Sequence, residues 1–209
     1  WLALNYLTTT KAMSGTSVIT FSKRRETEVM LIINFLAFQI AWFSSVIGGA
    51  HQMPWLGPLT VAIALMLHLR AARRPFDEFL LAICCALIGA VFDSALVALG
   101  WVTYTSGLFA ENLAPYWIIT MWILFATTLN VSMKWMRGSP LLAAFFGVTG
   151  GPTTYLAGKE LGGIVLVNET AALIALGIGW GIMMPLLVSL SERLDGMPGP
   201  RRVWLAKTT

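Results

Sequence analysis

The sequence predicts an all-α, polytopic transmembrane helix bundle of about six spans, and three observations predict it. Over 209 residues, 57% are hydrophobic and only 11% charged, where a soluble domain carries roughly 25% charged residues. Six segments, near 30–50, 55–69, 79–100, 115–133, 140–158 and 170–190, are apolar and at or near the length that crosses a hydrocarbon core of about 30 Å. Finally, thirteen of the fourteen Lys and Arg residues fall on one side of those segments. Lys11, Lys23, Arg24 and Arg25 precede the first segment, Arg70, Arg73 and Arg74 follow the second, and Lys134 and Arg137 follow the fourth. Arg193, Arg201, Arg202 and Lys207 follow the sixth. Only Lys159 falls on the other side, so the positive-inside rule places both termini in the cytoplasm.

Residues 1–29 are rich in Thr and Ser and carry a basic knot at Lys23 to Arg25. They read as a flexible cytoplasmic tail, or as sequence upstream of a true start at Met30, and not as a signal peptide. The first span, Met30 to Ala50, matches the hydrocarbon thickness without strain. Gly48-Gly49-Ala50-His51-Gln52-Met53-Pro54-Trp55 then forms a tight turn into a short second span. Phe79 to Gly100 forms the third span, with Trp101 and Tyr104 at its outer interface. A polar loop leads to Pro115-Tyr116-Trp117 and the fourth span, which Lys134, Trp135 and Arg137 anchor.

The fifth segment is interrupted by Gly150-Gly151-Pro152. A proline removes a backbone donor and clashes one turn back, so a broken helix is expected there. Broken helices are tolerated at membrane depth only where protein or a water-filled cavity surrounds them, which puts this segment inside the bundle, with the other helices packed around it. In the sixth span Gly177, Gly179 and Gly181 are small residues that permit close helix packing, and no strand precedes them as a nucleotide site would require. The transmembrane domain is thus residues 30–190, followed by a basic cytoplasmic tail, 191–209.

The net charge of +4 belongs to loops beside apolar spans, where it sets orientation and meets anionic headgroups, so no nucleic-acid partner is expected. Cys84 and Cys85 are adjacent within a span and read as small apolar side chains. No metal-ligand spacing and no cofactor motif is present, and His51 and His68 fall on opposite sides of the membrane.

Asp93 is the foremost candidate. A carboxyl fourteen residues into the third span is expensive unless neutral or partnered, so it either marks a functional pocket or fixes packing through hydrogen bonds to a neighbouring helix. His51, Lys159 and Glu160 are the other titratable groups near the outer leaflet, and with Asp93 they would suit acid–base chemistry or a proton relay if they converged. Each alone reads as a turn residue or an interfacial charge. In the first span Asn34, Gln39, Trp42, Ser44 and Ser45 form a polar thread, whose members should hydrogen-bond between helices. Asn130 and His68 are expected to form a second, inner cluster.

The run Ile33-Asn34-Phe35-Leu36-Ala37-Phe38-Gln39-Ile40-Ala41-Trp42-Phe43, the Gly-Gly-Ala-His turn, Asp93, and Gly-Gly-Pro-Thr-Thr-Tyr-Leu-Ala-Gly-Lys-Glu-Leu-Gly-Gly at 150–163 together resemble a family of small bacterial inner-membrane proteins. That family is described only as a domain of unknown function. The resemblance covers about residues 30–190 and implies a six-helix, multi-pass inner-membrane protein whose gene often lies near those for membrane fatty-acid modification. It implies no catalytic residue.

The leading expectation is therefore an accessory protein that holds a lipid-like ligand, or a partner membrane protein, around Gln39, Trp42, His51, Asp93, Tyr155, Lys159 and Glu160. One alternative is a small proton-coupled transporter using Asp93 and the break at Gly150 to Pro152. Another is a membrane enzyme acting on lipids through His51, Asp93 and Lys159. A cavity reaching Asp93 from water would favour transport, and a lateral opening to lipid would favour binding or catalysis. A packed Asp93 without a cavity would favour a scaffold.

Overall fold

The structure, a computed structural model, describes residues 28–198. Over that range there are six α-helices: α1 (Glu28–Ala50), α2 (Leu56–Ala71), α3 (Pro75–Ala98), α4 (Tyr116–Leu129), α5 (Pro140–Glu160) and α6 (Glu169–Arg193). Two short strands, β1 (Val102–Tyr104) and β2 (Ile164–Leu166), lie in the α3–α4 and α5–α6 connections, and a 3-10 turn spans Lys134–Met136. The tail expected over 1–29, apart from its last two residues in α1, lies outside the described residues, as does the basic tail from 199.

Local chemistry sets the helix ends. Pro75 and Pro140 open α3 and α5 at their first positions, where a missing N–H leaves no bond unmade. Asn168 caps α6 by accepting from the Ala171 amide at 3.2 Å. α3 and α5 terminate alike: Gly100 (φ 68°) and Gly162 (φ 82°) take the left-handed conformation that closes a helix C-terminus. Two residues beyond each glycine a strand begins, and the strands pair antiparallel with Val102 opposite Leu166, Thr103 opposite Val165 and Tyr104 opposite Ile164.

This ribbon caps one end of the bundle, called here the hairpin end. The α1–α2 turn joins it through Thr105 and Ser106, whose hydroxyls donate to the Gly49 carbonyl at 3.0 and 2.6 Å. The opposite end gathers the α2–α3 and α4–α5 connections and residues 194–198, with most of the described charges.

Helices α1, α3 and α6 are long and apolar enough to cross a membrane; α2 and α4 are shorter apolar helices. Their outward faces are as apolar as their inward ones. Ile174, Ile178, Ile182 and Leu186 recur every fourth residue of α6, all about 60% exposed, and Val91 on α3 is 74% exposed. A helix against water would carry polar residues there, so these faces mark a membrane protein.

Two expectations need correction. α5 is not broken at Gly150-Gly151-Pro152: it runs without interruption from Pro140 to Glu160 with Pro152 inside. Its glycines serve contact with α6 instead, since a Cβ on Gly147 would overlap the Trp180 backbone and one on Gly151 the Trp180 indole. The close packing that these glycines permit holds the helix together past the bond that Pro152 cannot make. Neither is α5 the centre of the bundle, because Leu141, Phe145 and Val148 are exposed. That place belongs to α4, which packs on α2, α3 and α6 and is tied to α1 by the Asn34 amide donating to the Thr127 carbonyl at 3.0 Å. Trp117, Ile118, Trp122 and every residue from Leu124 to Leu129 are buried. Shielded by neighbours, α4 needs only about 21 Å of helix for its 14 residues.

Candidate functional site

Asp93 lies near the hairpin end of α3 and is fully buried. One carboxylate oxygen accepts from the Tyr104 hydroxyl at 3.1 Å and from the Tyr155 hydroxyl in a shorter bond. The other accepts from the Trp122 indole N–H at 2.7 Å. The three donors come from β1, α5 and α4, so one side chain ties the cap to two helices beside its own. All three are neutral, which leaves the carboxylate solvated by fixed dipoles instead of a counter-charge.

Trp122 connects this cluster to a cavity of about 450 Å³, within the usual range of roughly 300–1,000 Å³ for ligand pockets. Its walls are Phe38, Trp42 and Val46 of α1 and Phe146, Gly150, Gly151, Thr154 and Tyr155 of α5. Ile118, Met121, Trp122 and Phe125 of α4, with Trp180 and Met184 of α6, lie between these walls. Ile164 of β2 stands at the hairpin end; Ser132, Met133, Trp135 and Met136 stand at the charged end. None of these lining residues carries a charge. The Trp122 and Trp180 rings stack at 4.7 Å between centroids with planes 13° apart, and Phe125 meets both edge-on. Asp93 is not part of the lining; Trp122 and Tyr155 stand between it and the groove.

The charged end holds a second buried network. Glu78, 2% exposed, bonds His68 Nε2 at 2.9 Å and accepts from the Asn130 amide at 2.8 Å and the Gly196 backbone N–H at 2.7 Å. Arg137 donates to Asn130 and pairs with Asp195 at 2.7 Å, and Lys134 reaches the same Asp195 oxygen at 2.7 Å. Residues 194–198 are thereby clamped beneath α3 and α4. Burial pushes the Asp195 carboxyl up, but hydrogen bonds from Lys134 and Arg137 and the Arg137 charge outweigh it and leave it below the ordinary carboxylate value.

A group held lower in the folded state stabilises above its unfolded pKa, and that stability disappears as pH falls through the folded value. Protection of the Gly196 and Met197 amides against hydrogen exchange should therefore stay flat between about pH 5 and 8 as far as Asp195 is concerned. In Asp195→Asn it should fall about tenfold at pH 7, as the contacts with Lys134 and Arg137 both lose their charge assistance.

The sequence-derived residues separate into groups. Trp42 and Tyr155 line the groove, with Asp93 directly behind Tyr155. Gln39 is half-buried on α1 outside the lining. His51 is exposed in the α1–α2 turn, its ring nitrogen 3.0 Å from the Ile47 carbonyl. Lys159 pairs with Glu169 at 2.6 Å, and Glu160 is exposed beside it. Hence His51, Lys159 and Glu160 do not meet Asp93 in this geometry. His68 and Asn130 do share a cluster, through Glu78. The sequence marks Tyr104 only as an interfacial aromatic and does not mark Glu78, Trp122 or Trp180; Glu78 sits one residue before the third apolar run. Its only sequence signal is that it lies ten residues from His68, across a short connection.

The chain belongs to a family described as "Protein of unknown function (DUF2878)", whose model matches residues 31–186. No curated protein matches it, and no solved structure does.

Proposed function

We propose that this member of the DUF2878 family is a six-pass bacterial inner-membrane protein that binds a membrane lipid in the groove between α1 and α5. On this reading it serves as an accessory protein that presents the lipid to, or withholds it from, a partner membrane protein. The observation that carries the reading is the uncharged, aromatic and methionine-lined cavity of about 450 Å³ within a bundle whose outer faces are apolar. Methionine walls adapt to a flexible chain, and aromatic walls bury large areas of it. The six-pass arrangement is supported by the collection of alternate connections at opposite ends, and the basic charged end faces the cytoplasm under the positive-inside rule. Screening of Asp93 from the groove by Trp122 and Tyr155 favours binding over proton-coupled transport.

The test fills the groove. Gly150 lines it, and a Cβ there meets nothing within 4 Å. Gly150→Trp should therefore enter without a clash at its Cβ and place an indole in the groove, while removing an unfavourable helix glycine. Lipid extracted from the protein purified in mild detergent and quantified by mass spectrometry should fall at least fivefold relative to wild type. Equal lipid in the two proteins, with equal thermal stability, would overturn the groove as the binding site.

A further inference from the structure

We propose that the groove takes a single-chain amphiphile with an anionic headgroup, oriented with its tail toward β2 and its headgroup at Lys134 and Ser132. This rests on the lipid-binding reading above and specifies its ligand.

The two ends of the groove are unlike. At the hairpin end the lining is Val46, Ile118 and Ile164, all buried, and the β1–β2 ribbon lies over them. The nearest lining hydroxyls are already committed, Tyr155 to Asp93 and Thr154 to the Gly150 carbonyl at 2.8 Å, which leaves neither free to donate to a headgroup. The described titratable side chains of that end include one lysine, Lys159, against Glu111, Glu160, Glu169 and the buried Asp93, and the lysine is already paired with Glu169. An anion would meet repulsion as well as an apolar wall.

At the other end the lining changes character within one short stretch. Ser132, Met133, Trp135 and Met136 all face the groove, and Lys134 and Arg137 belong to the same stretch. The Lys134 side chain remains 34% exposed although it contacts Asp195. Two cations share that one carboxylate, and over this whole end the described residues are Arg70, Arg73, Arg74, Lys134, Arg137 and Arg193 against Glu28, Asp77, Glu78, Glu192 and Asp195, so cations outnumber acids here as acids outnumber cations at the hairpin end. Trp135 is exposed and packs edge-on against Phe146 of the α5 wall at 5.2 Å, the position of an interfacial aromatic beside a headgroup. Lys134 lies beside the lining and not in it, so a phosphate or carboxylate at this mouth accepts from the Ser132 hydroxyl and draws the part-exposed Lys134 ammonium from its Asp195 partner, while its chain lies along the indoles. A cavity of about 450 Å³ suits one chain.

Headgroup preference and groove occupancy are read separately. Native mass spectrometry of the full-length protein in detergent is run with palmitoyl lysophosphatidylglycerol and with palmitoyl lysophosphatidylcholine, which share a tail and differ in headgroup charge. Wild type should bind the anionic lipid about fivefold more tightly, the contribution of roughly one lysine near a membrane surface. Lys134→Gln should bring the ratio toward one while leaving the zwitterionic lipid unaffected. Ser132→Asp, which leaves the Lys134–Asp195 pair in place, should do the same, and so covers the case in which Lys134→Gln does not fold. Gly150→Trp should abolish both lipids. Equal binding of the two lipids by wild type, or an unchanged ratio in both headgroup variants, overturns the anionic headgroup but leaves the groove intact. Undiminished binding by Gly150→Trp overturns the groove itself.

Discussion

Replacing Asp93 with alanine should destabilise the protein by about 3–5 kcal/mol, because it strands three buried donors at once. The Tyr104 and Tyr155 hydroxyls and the Trp122 indole N–H converge on one carboxylate, and each unpartnered group costs roughly 1–3 kcal/mol in a low-dielectric interior, not fully additively. The loss should appear as a lower melting temperature in detergent and as faster exchange across β1, whose Tyr104 is held by that bond. Asp93→Asn should behave differently. With its amide oxygen toward Trp122, its NH2 group faces two phenol oxygens, which can turn to accept. The expected cost is about 1–2 kcal/mol, with the bundle folded. If Asp93→Ala melted with wild type, the carboxylate would not be the tie between the cap and the helices.

Gly89→Leu should be at least as damaging. Gly89 and Asp93 are four residues apart, one above the other on α3, and both face Trp122: the indole covers Gly89 while its N–H donates to Asp93. A Cβ at position 89 would overlap the ring, which is stacked on Trp180 behind it and has nowhere to retreat. Overpacking a rigid site costs typically 1–3 kcal/mol and more where backbone must shift, so about 4 kcal/mol, with poor recovery of monodisperse protein, is expected. A double-mutant cycle checks the cause. Trp122→Leu is destabilising alone, but added to Gly89→Leu it should recover about 2 kcal/mol, since the smaller side chain vacates the contested volume. Additive effects would mean that the two residues do not clash.

Both expectations depend on Trp122, and the sequence does not distinguish that tryptophan from the other eight. Asp93 itself was legible, because a carboxyl in an apolar run is anomalous wherever it folds. Its partners were not, because Tyr104, Trp122 and Tyr155 lie 11, 29 and 62 residues away, and nothing local marks a donor as aimed at a distant acceptor. The same asymmetry applies at the charged end. His68 and Asn130 were expected to share a cluster, while Glu78, which joins them, is indistinguishable in sequence from an ordinary acid in the first turn of a helix. The glycines of α5 misled in a specific way: Gly150-Gly151-Pro152 has the composition of a break, and only the neighbouring α6, pressed against Gly147 and Gly151, makes that stretch a helix.

The sequence by itself determined the solvent of this protein, the extent of its apolar segments and the segregation of its basic residues to one side, because these follow from transfer free energies summed along the chain. Tertiary structure alone decided which helix is central, that α5 continues through Pro152, which donors Asp93 takes, and that a groove remains between α1 and α5. Those outcomes depend on shape complementarity between helices distant in sequence, and close packing is a property of pairs of surfaces that neither surface specifies alone.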